Sequence, residues 1–159
     1  MEYNLGHQED RVLLKVSARG SLAACAAVVL LFSSAPGGAP TTMNTQAVID
    51  LFNAAFNAHD AKAVESLLTD DTVFEDTSPA PDGLRIEGKS AVAAFWREWF
   101  ARNPDAHFEA EELIVSGNRA VVRWVYRKKR NGVPWHLRGV DVFTVRNGKV
   151  AAKLAYVKG

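Results

Sequence analysis

The sequence predicts an α+β fold in which three helices pack on a curved antiparallel sheet that encloses a pocket. Three observations predict it. Apolar residues recur at helical spacing between Asn44 and Arg102. Beyond Pro104 the spacing changes to alternation, the period of a half-buried strand. Ser116-Gly117-Asn118, Asn131-Gly132 and Asn147-Gly148 then punctuate that alternating half with turns that join antiparallel strands. Helices followed by a run of hairpins lay the helices over one face of the sheet.

Composition narrows the function classes. The chain has 159 residues, 48% hydrophobic and 23% charged, enough for one domain with a core. A net charge of +1 makes no case for a nucleic-acid partner. One cysteine, Cys25, excludes an internal disulfide or a thiolate cluster, and the four histidines are scattered, so no metal or other cofactor is expected.

Residues 1–42 read differently from the domain of residues 43–159. An apolar run from Leu22 to Phe32 is too short for a stable membrane span but matches the apolar core of a secretory signal, with small residues beyond it. Met43, directly before the first helix, is the rival start. Export follows if the 20–39 region is a signal peptide, and a cytoplasmic location if translation starts at Met43. Both readings stand, and in either one residues 1–42 are kept out of the fold.

Within the domain, Ala47, Val48, Leu51, Phe52, Ala55 and Phe56 form one face of a helix over Asn44–Ala58, with Asn44 or Thr45 as N-cap. Asp60 caps a short second helix carrying Val64, Leu67 and Leu68. A short strand, Thr72 to Asp76, leads through a Pro-rich loop to a third helix from Gly88 to Arg102. Its Val92, Phe95, Trp96, Trp99 and Phe100 make an aromatic stripe, whose ordinary role is burial against a sheet. Four strands follow, about His107–Val115, Arg119–Lys129, Val133–Arg146 and Lys149–Val157. The basic run Arg127-Lys128-Lys129-Arg130 falls at a hairpin tip and reads as a solvated turn.

Alternation places Trp135, Leu137, Gly139, Asp141, Phe143 and Val145 on one face of the third long strand and Val122, Trp124 and Tyr126 on one face of its neighbour. A bulge at Gly139 would reverse the parity of Asp141. Asp76, at the end of an apolar strand, and Asp141, among apolar side chains, are the candidate catalytic residues. A desolvated Asp141 has its pKa raised and can donate as the neutral acid, while Asp76 near water stays ionised and acts as base. Phe52, Phe56, Phe74, Trp96, Trp99, Trp124, Tyr126 and Phe143 are the candidate apolar walls of a substrate site.

The stretches Phe52–Asp60, Leu68–Asp76, Glu87-Gly88-Lys89 with Ala94-Phe95-Trp96, Arg138–Phe143 and Asn147–Val150 together resemble the SnoaL-like, ketosteroid isomerase-related branch of the nuclear-transport-factor-2-like superfamily. The resemblance implies a cone-shaped fold, a homodimer and a pocket for a small apolar or carbonyl-containing molecule. Ketosteroid isomerase, a worked case of carboxyl tuning, has an Asp base and a protonated Asp donor. Asp70–Asp76 is similar to the stretch holding the first, and Gly139–Val142 to the stretch holding the second. The chain departs where that enzyme places tyrosines: Phe52, Leu68 and Trp96 stand there instead. The family supports two expectations, a cofactor-independent isomerase or cyclase, and a non-catalytic ligand-binding or association module.

Overall fold

A computed structural model describes residues 43–158, and all that follows concerns them. The readings made for residues 1–42, Cys25 and the signal-like segment among them, lie outside the described residues.

The first helix, α1 (Thr45–Asn57), begins where the Asn44 side chain accepts the Ala47 N–H. Its buried face is Val48, Ile49, Phe52, Ala55 and Phe56. Leu51, expected on that face, is 47% exposed, and Ile49 takes its place. The chain reverses at His59 (φ +53) and re-enters helix as α2 (Ala61–Ser66), capped by the Asp60 carboxylate on the Ala63 N–H. Leu68, read as helical, opens strand β1 (Leu68–Glu75) instead. A three-residue strand, β2 (Arg85–Glu87), follows, with no counterpart in the sequence reading, and then α3 (Lys89–Arg102).

Strands β3 (His107–Ser116), β4 (Arg119–Arg130), β5 (Val133–Arg146) and β6 (Lys149–Val157) form the expected meander. Asn131-Gly132 and Asn147-Gly148 adopt positive φ at both positions, which matches the twist of the strands they join.

The expected curved antiparallel sheet enclosing a pocket is not what forms. The six strands lie in the order β2-β1-β6-β5-β4-β3, a mixed, open sheet that is neither closed nor strongly curved. Its mixed character comes from β1, which pairs parallel with β6 through Val73–Ala152, Phe74–Lys153 and Glu75–Leu154. The junction is set where α2 ends: the Val150 N–H donates to the Leu67 carbonyl at 2.8 Å, so the first and last strands start side by side at one end of the sheet. Short β2 and bulged β3 are the two edges. The helices cover one face, and the core between them holds Phe52, Phe74, Phe143, Val92, Val122 and Val150, each about 2% exposed or less.

The predicted faces of β4 and β5 form as read, because their twelve-pair register runs unbroken from Arg119–Thr144 to Arg130–Val133. No bulge occurs at Gly139 in that register. The glycine has a packing reason: a Cβ there would lie 2.4 Å from the Trp124 ring and 2.2 Å from the Tyr156 carbonyl oxygen. Trp124 thus lies across the backbone of β5, in space that only glycine leaves open.

Candidate functional site

A cavity of about 180 Å³ lies between the helices and the covered face of the sheet. Its walls are aromatic. Phe56 on α1 meets Trp96 edge-on at 4.9 Å, and Phe74 on β1 meets Trp96 at 4.6 Å. Trp99 and Tyr126 approach at 5.8 Å, and Phe108 stacks on Tyr126 at 4.9 Å. The chain's four tryptophans, Trp96, Trp99, Trp124 and Trp135, all line it. Asn57 holds β3 in register with α1, its side chain both donating to the Phe108 carbonyl and accepting the Phe108 N–H.

Of the residues singled out in the sequence, the fold brings Asp76, Asp141, Phe56, Phe74, Trp96, Trp99, Trp124 and Tyr126 to this one cavity. Phe52 and Phe143 do not line it. They meet each other edge-on at 5.5 Å in the core beneath. His59, not put forward for chemistry, stacks on Phe100 and its ring Nε2 pairs with the Ala106 carbonyl at 2.9 Å.

Asp76 is the first residue beyond β1. Its N–H donates to the Leu84 carbonyl, and its Oδ1 accepts the Thr77 N–H at 2.8 Å. Gly83, at φ +77, closes the intervening loop so tightly that a Cβ would sit 1.8 Å from the Asp76 carbonyl oxygen. Burial raises the Asp76 pKa above the usual carboxylate value. The Thr77 N–H and the Lys153 charge oppose that rise, and the Asp141 charge adds to it.

Lys153 is a charged residue of the cavity lining that the sequence reading did not put forward. It sits on β6 opposite Phe143, and its Nζ lies 2.8 Å from Asp141 Oδ2 with both side chains under a tenth exposed. A lysine inside the otherwise apolar run Val150–Val157 was the available signal. The parity of that strand stayed unreadable because the β5–β6 register shifts between Thr144 and Val145.

Four polar atoms on the walls are buried without a hydrogen-bond partner: Trp96 Nε1, Trp124 Nε1, the Tyr126 hydroxyl and Asp141 Oδ1. Such atoms cost free energy unless something satisfies them, and three of these four can donate. Burial pushes the Tyr126 phenol up to about 12, which keeps it a neutral donor. At the rim, Lys128 and Arg130 share the inward parity of Trp124 and Tyr126, contrary to the reading of the whole basic run as solvated turn. Arg127 and Lys129 lie on the other side, where Arg127 pairs with Glu109.

A more open groove of about 560 Å³ lies on the uncovered sheet face between Glu111, Arg123, Arg138 and Tyr156. Its charges are engaged with one another, Glu111 bridging Arg123 and Arg138. The interior cavity is therefore the better candidate site. Among the described residues no three His, Cys, Asp or Glu side chains converge in a metal-binding group, and no helix is long and apolar enough to cross a membrane.

Residues 48–153 match the family described as SnoaL-like domain. Among solved structures, an NTF2-like protein of unknown function from Mesorhizobium loti is 36% identical, with a TM-score of 0.64 over 72% of this chain and 91% of that one. A putative polyketide cyclase from Pseudomonas putida KT2440 is 25% identical, TM-score 0.59, over 73% and 92%. A protein with a ketosteroid isomerase-like fold from Catenulispora acidiphila, solved with trimethylamine, shares the fold at 16% identity, TM-score 0.63, over 70% and 85%. No curated protein matches the chain.

Proposed function

Starting from a chain that belongs to the SnoaL-like family of the nuclear-transport-factor-2-like superfamily, we propose that its interior cavity moves a proton next to the carbonyl of a small apolar compound, in an isomerisation or a cyclisation. The observation that carries the reading is one cavity holding a carboxylate at its rim and a buried cation with unpartnered donors on its walls.

In this reading Asp76 is the base. Its carboxylate takes a proton from the carbon beside the carbonyl, the C–H electron pair becomes a carbon–carbon double bond, and the carbonyl π pair moves onto the oxygen to give an enolate. The oxyanion needs donors already in place. The expected donor was a protonated Asp141. Asp141 Oδ2 is instead engaged by the Lys153 Nζ at 2.8 Å, so the donor role moves to Lys153, which Asp141 orients. The indole N–H groups of Trp96 and Trp124 and the Tyr126 hydroxyl stand in for the tyrosines that Phe52, Leu68 and Trp96 replace. Return of the proton to another carbon completes an isomerisation; attack of the enolate carbon on a second carbonyl of the same molecule, whose π pair moves onto its oxygen and takes the proton back from Asp76, completes a cyclisation. Phe56, Phe74 and Trp99 supply apolar contact.

The test is deuterium incorporation from D₂O into a panel of cyclic enones and 1,3-dicarbonyl compounds, read by mass spectrometry. Exchange that depends on the protein and falls about 10²-fold or more in Asp76→Asn supports the reading. Exchange insensitive to that substitution sinks it.

A second reading, ligand binding without turnover, draws on the pairing of Asp141 with Lys153, since a lysine so engaged can hold a carbonyl oxygen without reaction. Binding without any deuterium exchange across the panel would favour it. In either reading the outer sheet face that carries the half-buried Val140 and Val142 is proposed as the surface of a homodimer, which light scattering of the purified protein checks; Val125, expected to add apolar area there, is fully buried within the chain.

A further inference from the structure

We infer that the occupant of the cavity is an anion: a flat apolar compound carrying a carboxylate, whose charged end lies between Lys128 and Arg130. The inference rests on the cavity being the small-molecule site and goes beyond the reaction proposed for it.

The ionisable side chains lining the cavity are two carboxylates, Asp76 and Asp141, and three cations, Lys128, Arg130 and Lys153. Asp141 and Lys153 neutralise each other. That leaves one carboxylate, Asp76, and two rim cations on the lining, and neither cation has a carboxylate within 4 Å among the described residues, whereas Arg85, Arg123, Arg127, Arg138 and Arg146 all do.

Both rim cations are held in place by neutral groups. Lys128 Nζ donates to Asn103 Oδ1 at 3.0 Å, and Asn103 is itself fixed by donating to the Trp99 carbonyl at 2.8 Å. The Arg130 guanidinium lies 3.5 Å over the Trp135 ring. Stacking of this kind positions a guanidinium by its face and leaves its N–H edge available, the edge that matches a planar carboxylate. The lysine keeps two further N–H donors.

The interior points to the same chemistry. Trp96, Trp124 and Tyr126 are each more than nine-tenths buried, and each has an unpartnered donor. Indole nitrogens cannot accept, so two of the three can be satisfied only by acceptor atoms. A ligand rich in oxygen acceptors and apolar in its body satisfies these three donors and the rim together, whereas a donor-rich ligand would satisfy on the walls only Asp141 Oδ1, the one unpartnered acceptor among the four atoms.

Isothermal calorimetry with 2-naphthylacetate and 2-naphthylacetamide tests this, because the two differ mainly in charge. The acid is expected to bind wild-type protein about ten-fold tighter than the amide, with a preference that shrinks as salt is added. Substitution of Lys128→Met with Arg130→Met, both on side chains outside the core, is expected to bring the acid down to the affinity of the amide and leave the amide unchanged. Circular dichroism and melting temperature confirm that this variant is folded. Equal binding of acid and amide to the wild type, or a preference that survives the double substitution, overturns the anion inference and leaves the cavity as a neutral-ligand site. If neither compound binds at millimolar concentration, the small-molecule reading of the cavity falls as well.

Discussion

Lys153 on β6 reaches Asp141 on β5 across 2.8 Å, and the pair is the one ion pair among the described residues with both side chains under a tenth exposed. Desolvating two charges is costly, and removing one partner strands the other. Lys153→Met is therefore expected to lower stability by about 3–5 kcal/mol in chemical denaturation. The double variant Lys153→Met/Asp141→Leu should recover most of that loss. A double variant as unstable as the single one would show that the charges do not act as a pair.

Asp76 gives a pH dependence with a definite sign. Its pKa in the folded protein is raised by burial, so the folded state holds this proton more tightly than the unfolded chain. The contribution favours folding at pH below the ordinary value of 3.8 and is lost as pH rises through the raised one. Asp76→Asn, which removes the titration, should raise the melting temperature near neutral pH and lose that advantage in acid. The gain should stay under about 1 kcal/mol, because the group is partly in contact with solvent. If Asp76 is the base, the rate should also rise with pH through an apparent pKa above the usual carboxylate range.

Tyr126 is expected to titrate late. With its phenol pushed up to about 12, the tyrosinate absorbance near that of a full set should not be reached at pH 11 in the folded protein. The chain has three tyrosines. Replacement of Tyr126 by Phe should remove the late phase and no other.

Gly139 should not tolerate a side chain. An alanine Cβ would meet the Trp124 ring at 2.4 Å and a backbone oxygen at 2.2 Å, so Gly139→Ala should destabilise by about 1–3 kcal/mol or more. A shift in tryptophan emission should accompany it, since Trp124 must move.

By contrast, the exposed pair of Arg146 with Asp71 should matter little. Arg146→Ala is expected to change stability by less than about 1 kcal/mol in the same denaturation assay. A larger loss would mean that the end of the sheet depends on this contact.

The inward face of β5 could be read from alternation because its pairing with β4 has no irregularity, so Asp141 and Trp135 fell where parity put them. Strand β6 could not be read this way. Its register shifts once, and its other neighbour, β1, bulges between Leu68 and Val73. Lys153 was lost for that reason. Phe52 and Phe143 were assigned to a substrate wall because periodicity separates inside from outside but does not separate core from cavity.

The sequence by itself determined the helix-then-meander order, the hairpin turns, the family and the inward parity of Asp141, all of which rest on local spacing or short motifs. Tertiary structure alone decided the parallel placement of β1 beside β6, and with it an open, mixed sheet in place of a curved antiparallel one. It also decided the partner of Asp141. Those outcomes depend on which strands lie side by side, a long-range choice made by the burial of whole faces, and no local pattern of residues encodes it.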